Sequence, residues 1–451
     1  MNKKLRTILF IALAIIFLAI SPAIIFYSQG YRFDFQEKKL LLTGGIYIKA
    51  SQPAANVYID NKYADKTGQL LSFDFLAQNL LPNKHSVRIE KSGYRTWQKN
   101  LLVKEKMVTQ AYVVLFPEKI DFTQVDANIQ HIYSFPGSNK IFVSDAKNQL
   151  FSYESGQKTL IVGNIAKTIS KILDISVSAD TSKIILKAIE KSTGKTKFYL
   201  LATDKEAIAL TALKTLDKNT GPIYFYSNNI IYFTLSGKIY KQALDSQKTT
   251  LITSEAISAF TLQGDNLYFL RNGVVFRQNI ITGNAETLVK EPLAINPKSS
   301  YEIFTYWGKI FILENKKILS VVTDEQQIKT LIKSTSEIKY SGFSDKLMFY
   351  NNASLWLYLL KDYESPFFAK AGSLIPFVDY KKINGFEWLG GEYFVVIDEN
   401  NNSIISEVDN RDKINSFQAN ADNSQIWFDQ ANKQLYALSQ NNLLASPKLI
   451  P

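Results

Sequence analysis

Apolar residues run without a charge from residue 8 to residue 27, and no later stretch repeats that pattern. At about 1.5 Å of rise per residue, a helix of that length spans roughly 30 Å, the hydrocarbon thickness of a bilayer. From residue 44 onward, apolar positions alternate with polar ones or fall in runs of strand length, separated by turn-forming residues. Residues 158–172 are the one stretch there that admits an amphipathic-helix reading. The pattern predicts an all-β chain behind a single apolar helix.

Within the β region a unit recurs. Residues 229–252, NIIYFTLSGKIYKQALDSQKTTLI, read as strand, tight turn, strand, polar turn and strand. Versions of it begin at Asn139, Ser182, Asn229, Asp265, Gly308, Asp345, Gly391 and Ser424. The first apolar positions of their second strands are Ile141, Ile184, Ile230, Leu267, Ile310, Leu347, Tyr393 and Ile426. Their intervals of 43, 46, 37, 43, 37, 46 and 33 residues match the period of four-stranded propeller blades. A short strand precedes most units, as in residues 132–135, 173–178, 223–227 and 301–306, which makes four strands per repeat. So small a unit cannot bury its own apolar face, so copies must pack on one another. Residues 118–451 are therefore expected to close as a β-propeller of seven or eight blades, with residues 118–125, EKIDFTQV, supplying the outer strand of the last.

The flanks of the apolar run orient it. Lys3, Lys4 and Arg6 precede it with no acidic residue, which places a tail of residues 1–7 in the cytoplasm and the rest of the chain outside. A cleaved signal peptide is the rival reading, since residues 19–21 are Ala, Ile and Ser. Pro22, where a mature chain would begin, and the apolar run continuing through Phe26 favour an uncleaved membrane anchor over residues 8–27. Pro22 is expected to kink that helix or to end its regular part. Phe26, Tyr27, Tyr31, Phe33 and Phe35 suit an interfacial aromatic belt. Residues 28–43 read as a linker.

Between linker and repeats, strands are expected at residues 45–50, 56–60, 86–91 and 109–116, with turns at Asp60-Asn61, Thr67-Gly68, Pro82-Asn83 and Ser92-Gly93. Ser51, Pro53, Ala55, Val57, Ile59, Asp60, Thr67, Leu81, Pro82, His85, Val87, Lys91, Gly93, Tyr94 and Trp97 follow in an order that resembles the PEGA domain. The departures are Ala54, Asn61, Gly68 and Asn83, where that family usually has Gly, Gly, Pro and Gly. Asn61 and Asn83 suit turns at positive φ. The resemblance covers residues 44–117 and implies a small extracytoplasmic β-sandwich without catalytic residues. The repeats lack WD40 and kelch marks. Ser236-Gly237-Lys238-Ile239-Tyr240 and Leu244-Asp245 are similar to TolB-like and lipoprotein-receptor-type propeller units.

Composition narrows the chemistry. The chain has 451 residues and no cysteine, which excludes disulfides, thiol nucleophiles and Cys-ligated metals. Its two histidines, His85 and His131, leave little for Ser-His-Asp or His-metal chemistry. The net charge of +11 divides as +3 before the apolar run, +1 over residues 28–43, +5 over residues 44–117 and only +2 beyond. A nucleic-acid-binding stripe is not indicated in the repeats. The +5 segment suits either a solvated lysine surface or contact with anionic lipid or wall polymer.

Individual candidates are sparse. His85 is expected to bond locally after a turn, and His131 to pack or cap at the start of the repeats. Trp307, Trp356, Trp388 and Trp427 fall in the last four repeats and could form a stacking platform, although Trp356 and Trp427 lie inside strands. Asp398, Asn400, Asn402 and Ser403 resemble a calcium loop of alternating oxygens, which an Asn-rich turn mimics without metal. No Walker loop, G-x-G-x-x-G, G-x-S-x-G or H-E-x-x-H occurs. The expectation is a non-enzymatic envelope protein with no catalytic, cofactor or metal residues. It is anchored in the lipid bilayer by residues 8–27 and binds a protein or cell-wall glycan through its propeller. The alternative is an exported propeller enzyme acting on glycan or peptide, with acidic residues near the axis.

Overall fold

The computed structural model describes residues 3–450 apart from 36, 69–72, 134–139, 155, 163–166, 204–209, 352–353, 364–368 and 378–381. Helix α1, Lys3–Ser28, runs through Pro22 without a break, so the proline neither ends it nor splits it. The Ser21 hydroxyl donates to the Phe17 carbonyl 2.6 Å away, in the turn where Pro22 supplies no N–H. The helix packs none of its apolar window inside the protein, and the mean hydropathy of that window is 3.0.

Residues 28–43, expected as a linker, form a hairpin of β1 (Tyr31–Asp34) and β2 (Lys39–Leu42). Seven strands then build a sandwich of two sheets: β3 (Gly44–Ala50), β4 (Asn56–Ile59), β5 (Lys62–Lys66), β6 (Asp74–Leu80), β7 (Lys84–Glu90), β8 (Trp97–Leu102) and β9 (Val108–Val113). One sheet runs β6-β3-β9, with β3 and β9 parallel; the other runs β5-β4-β7-β8. Ile46, Ile48, Val57, Val87, Ile89, Trp97, Leu101 and Val113 fill the space between them. Strands β5, β6 and β8 had no counterpart in the sequence reading. β5 is exposed along its whole length, so no apolar alternation marks it. Asp60 and Asn61 turn at φ 51° and 63°, as a β4–β5 hairpin requires. Asn83 does not adopt a positive φ; its N–H instead donates to the Leu81 carbonyl at 2.8 Å, a three-residue turn.

Beyond residue 118 the described residues form eight four-stranded antiparallel sheets. Blades 1 to 7 cover residues 129–162, 169–212, 220–251, 259–287, 301–333, 339–377 and 383–420. Blade 8 takes three strands from residues 423–445, and its fourth and outermost strand is β10 (Thr123–Asp126), paired with residues 442–445. Residues 118–125 thus contribute the closing strand, as their position ahead of the repeats suggested. The described part of residues 158–172 holds the last strand of blade 1 and the start of the first strand of blade 2, so the amphipathic-helix reading does not apply to those residues; 163–166 lie outside the described residues. Ile426 belongs to the first strand of its blade rather than the second, which explains the short final interval.

Each blade buries its faces against its neighbours, as a repeat with no core of its own must. Apolar clusters mix blades 1 and 2 (Phe142 with Leu186), 2 and 3 (Ile185 with Phe233), and 3 and 4 (Tyr232 with Phe269). The series continues through blades 4 and 5, 5 and 6, and 6 and 7. Phe116 and Ile120, leaving the sandwich, join the cluster of blades 7 and 8 beside Tyr393 and Phe428. Trp427 and Tyr436 of blade 8 meet Ile129 and Ile141 of blade 1, and the ring is closed.

Candidate binding surface

Residues from non-adjacent blades can meet only around a propeller's axis. Tyr224 of blade 3, Glu302 of blade 5 and Tyr340 of blade 6 all stand on first strands and line one cavity of about 390 Å³. The walls are aromatic. Phe304 and Tyr340 stack with centroids 3.9 Å apart and planes 7° from parallel, and Tyr224 meets Phe260 edge to face at 5.0 Å. Ser258, Ser300 and Thr234 add hydroxyls to the lining. A second cavity of about 510 Å³ shares Pro222 and Glu302 with the first and adds Asp174, Lys187, Thr220 and Lys316.

The electrostatics agree with this convergence. Burial in the channel wall pushes the Tyr224 hydroxyl up, and the charge of Glu302 adds to the shift. Tyr340 is raised by burial first and then by Glu302 and Tyr224. Tyr340 is 40% exposed and lines the cavity. A carboxylate facing aromatic walls and hydroxyls can accept hydrogen bonds from a ligand while the rings cover its apolar faces.

A second carboxylate on a first strand, Glu387 of blade 7, is raised to about 7 by burial, partly offset by the Trp388 N–H at 3.0 Å. The sequence reading missed Asp174, Glu302 and Glu387. Glu302 and Glu387 are each the one charged residue of their first strand, and that is the mark by which they are found; Asp174 shares its strand with Lys171 and carries no such mark.

The residues singled out from sequence lie elsewhere. His85 is buried on β7, with Nδ1 2.7 Å from Asp60 Oδ2 and Nε2 2.8 Å from the Leu81 carbonyl, tying the β4–β5 turn to the β6–β7 turn. His131 is exposed on the first strand of blade 1, its ring 6.2 Å from Tyr133. The four tryptophans form no platform. Trp388 and Trp427 are core, Trp356 is half-buried, and Trp307 alone is exposed, at the tip of a turn with φ 51°. Asp398 Oδ1 is taken by the N–H groups of Asn400 and Asn402 at 2.9 and 2.7 Å, and Oδ2 by the Asn402 side chain at 3.0 Å. The loop's carboxylate thus bonds its own chain. Among the described residues no three His, Asp or Glu side chains gather as a metal site.

The sandwich is docked on blade 7. Lys99 Nζ lies 2.5 Å from Glu407 Oε1 and from the Asp409 carbonyl, and Trp97 Nε1 donates to Glu407 Oε2 at 2.9 Å. Lys99 and Glu407 are 0% and 2% exposed. Arg411 reaches the Gln110 carbonyl at 2.8 Å, and Asp412 accepts from the Asn100 backbone at 3.0 Å. Burial pushes the Glu407 carboxyl up, and the Lys99 ammonium pulls it back. Beside this joint a cavity of about 630 Å³ is lined by Met107, Tyr112, Phe343, Lys346, Lys361 and Glu392. Its buried Lys346 sits 3.6 Å from both Asp345 and Glu392, so its charge is met within the protein.

Comparison with known proteins identifies the first of the two parts. The PEGA domain family matches residues 43–119. The chain carries a PEGA domain. No curated protein matches the sequence. Among solved structures, BamB from Moraxella catarrhalis is similar at 12% identity and a TM-score of 0.43, over 73% of this chain and 96% of that one. Hsv2 from Kluyveromyces lactis matches at 11% identity and 0.41, over 66% and 97%. YCF48 from Cyanidioschyzon merolae matches at 12% and 0.38, over 62% and 95%. At such scores the propeller stands on its own strand pairing.

Proposed function

We propose that the chain is a membrane-anchored binding protein that displays its PEGA domain and propeller outside the cytoplasm and takes an extended ligand, a peptide segment or a glycan strand, at the propeller axis. The observation that carries this is the meeting of Glu302 with Tyr224, Phe304 and Tyr340 at one cavity fed by non-adjacent blades. The apolar helix and the three cations before its charge-free core support the anchor and its orientation. On this reading the protein is not an enzyme; its carboxylates hold a ligand rather than move protons.

Crosslinking and recovery of the full chain from intact cells tests it, comparing the natural chain with a Glu302→Gln, Tyr340→Ala double variant. The proposal expects a partner that the double variant loses while still folding and reaching the membrane. A partner held equally by both would contradict it. Asp174 and Glu302 line one cavity, which keeps an enzyme acting on glycan or peptide as the competing reading. That reading expects Glu302→Gln to keep the ligand and abolish its turnover.

A further inference from the structure

The hairpin at the end of the apolar helix carries an apolar face whose outer part, Phe33, Phe35 and Leu40, is exposed. Only Gln29 and Gly30 separate α1 from β1. Arg32 Nη1 donates to the carbonyls of Tyr27 and Tyr31, both at 2.8 Å, and its guanidinium lies 3.5 Å over the Tyr27 ring. Thr43 closes the hairpin base, donating from its N–H and its hydroxyl to the Gly30 carbonyl at 2.9 and 2.7 Å. These bonds fix the angle between helix and hairpin.

The pairing Tyr31↔Leu42 and Phe33↔Leu40 puts those four residues and Phe35 on one face. Phe33, Phe35 and Leu40 are 47%, 84% and 53% exposed. The aromatic series continues from the helix itself: Phe26 meets Tyr31 at 5.4 Å, and Phe33 meets Phe35 at 5.2 Å, both edge to face. A loop of the PEGA domain is tied to the same base, the Lys106 N–H donating to the Thr43 carbonyl at 3.0 Å. That loop adds exposed Leu102, Met107 and Val108, and exposed Lys38, Lys39, Lys104 and Lys106 surround the whole, outnumbering the exposed Glu37, 3.5 Å from Lys39, and Glu105. Aromatic and aliphatic side chains ringed by lysines, continuous with an apolar helix, match the chemistry of an anionic headgroup layer.

We infer that the β1–β2 hairpin lies in the lipid headgroup interface as a second membrane contact, seating the PEGA domain on the outer leaflet and fixing the propeller's orientation above it. The inference rests on α1 spanning the bilayer.

The absence of cysteine makes single-site labelling clean. Nitroxides would be placed one at a time at Phe35→Cys, Leu40→Cys, Ile16→Cys and Tyr63→Cys in the full chain. The chain would be reconstituted in vesicles of phosphatidylethanolamine and phosphatidylglycerol. Collision with dissolved oxygen and with a water-soluble nickel chelate would then be compared by electron paramagnetic resonance. The labels at positions 35 and 40 should collide with nickel several-fold less than the label at position 63, and the label at position 16 should be the most protected. Nickel access at 35 and 40 equal to that at 63, with position 16 protected, overturns the hairpin contact and leaves the anchor standing. Nickel access at position 16 overturns the anchor, and the inference with it.

Discussion

Ala54 holds a backbone that suits glycine. Its φ is 54°, in the left-handed region where a β-carbon crowds the carbonyl, and its N–H is committed to the Thr67 carbonyl at 3.2 Å. The PEGA pattern has Gly there, and the sequence showed only a departure whose meaning the geometry supplies. Ala54→Gly should raise stability by about 0.5–1 kcal/mol, the relief of strain exceeding the added freedom of the unfolded chain, as read by thermal unfolding. Glu387 makes a pH prediction. Its folded pKa of about 7 stands above the ordinary 4.5, so the folded chain holds a proton there that the unfolded chain has released. Stability therefore falls as pH rises between those values. Glu387→Gln should flatten that decline, gaining on the order of 1–3 kcal/mol over the natural chain at pH 8 and little at pH 4. A decline unchanged in the variant would assign it to other groups.

The joint between sandwich and propeller turns on one side chain of β8. Lys99 is wholly buried against Glu407, which also accepts from Trp97 and from Asn415 Nδ2 at 2.9 Å. Removing the cation alone leaves a buried carboxylate uncompensated. Lys99→Met should therefore cost about 3–5 kcal/mol, and adding Glu407→Gln should restore much of it. Denaturant unfolding of both variants checks this; equal losses in the two would mean that the pair is not electrostatically coupled. None of this was legible beforehand. A lysine in an alternating strand reads as solvent-facing, and its partners lie about three hundred residues away in sequence. What local pattern does encode was read: the apolar helix, the second strands of blades 1 to 7 and their spacing. Strand β5 escaped because it is exposed throughout and carries no apolar alternation, and the hairpin of residues 31–42 because its two strands are only four residues each.

In the molecule as a whole, the described residues beyond 118 form a ring of eight four-stranded sheets whose last member is completed by β10, the segment that leaves the PEGA domain. Closure therefore depends on the domain boundary, and Phe116 and Ile120 pack into the junction of blades 7 and 8. The PEGA domain is thus bound to the propeller by chain connection, apolar packing and a buried ion pair together, and the axial channel is presented in a set orientation. The repeats made the ring readable, because the period survives divergence of the individual units. The axial site was not, because Tyr224, Glu302 and Tyr340 are far apart in sequence and become neighbours only when the ring closes. Site-specific photo-crosslinking in intact cells tests that site most directly, with a photoreactive phenylalanine at Tyr340 in the channel or at Ile281, which is 70% exposed in a turn of blade 4. Adducts at position 340 and not at 281, abolished by Glu302→Gln, are the predicted result. Adducts at 281 alone, or at 340 regardless of Glu302, would contradict a ligand held at the axis.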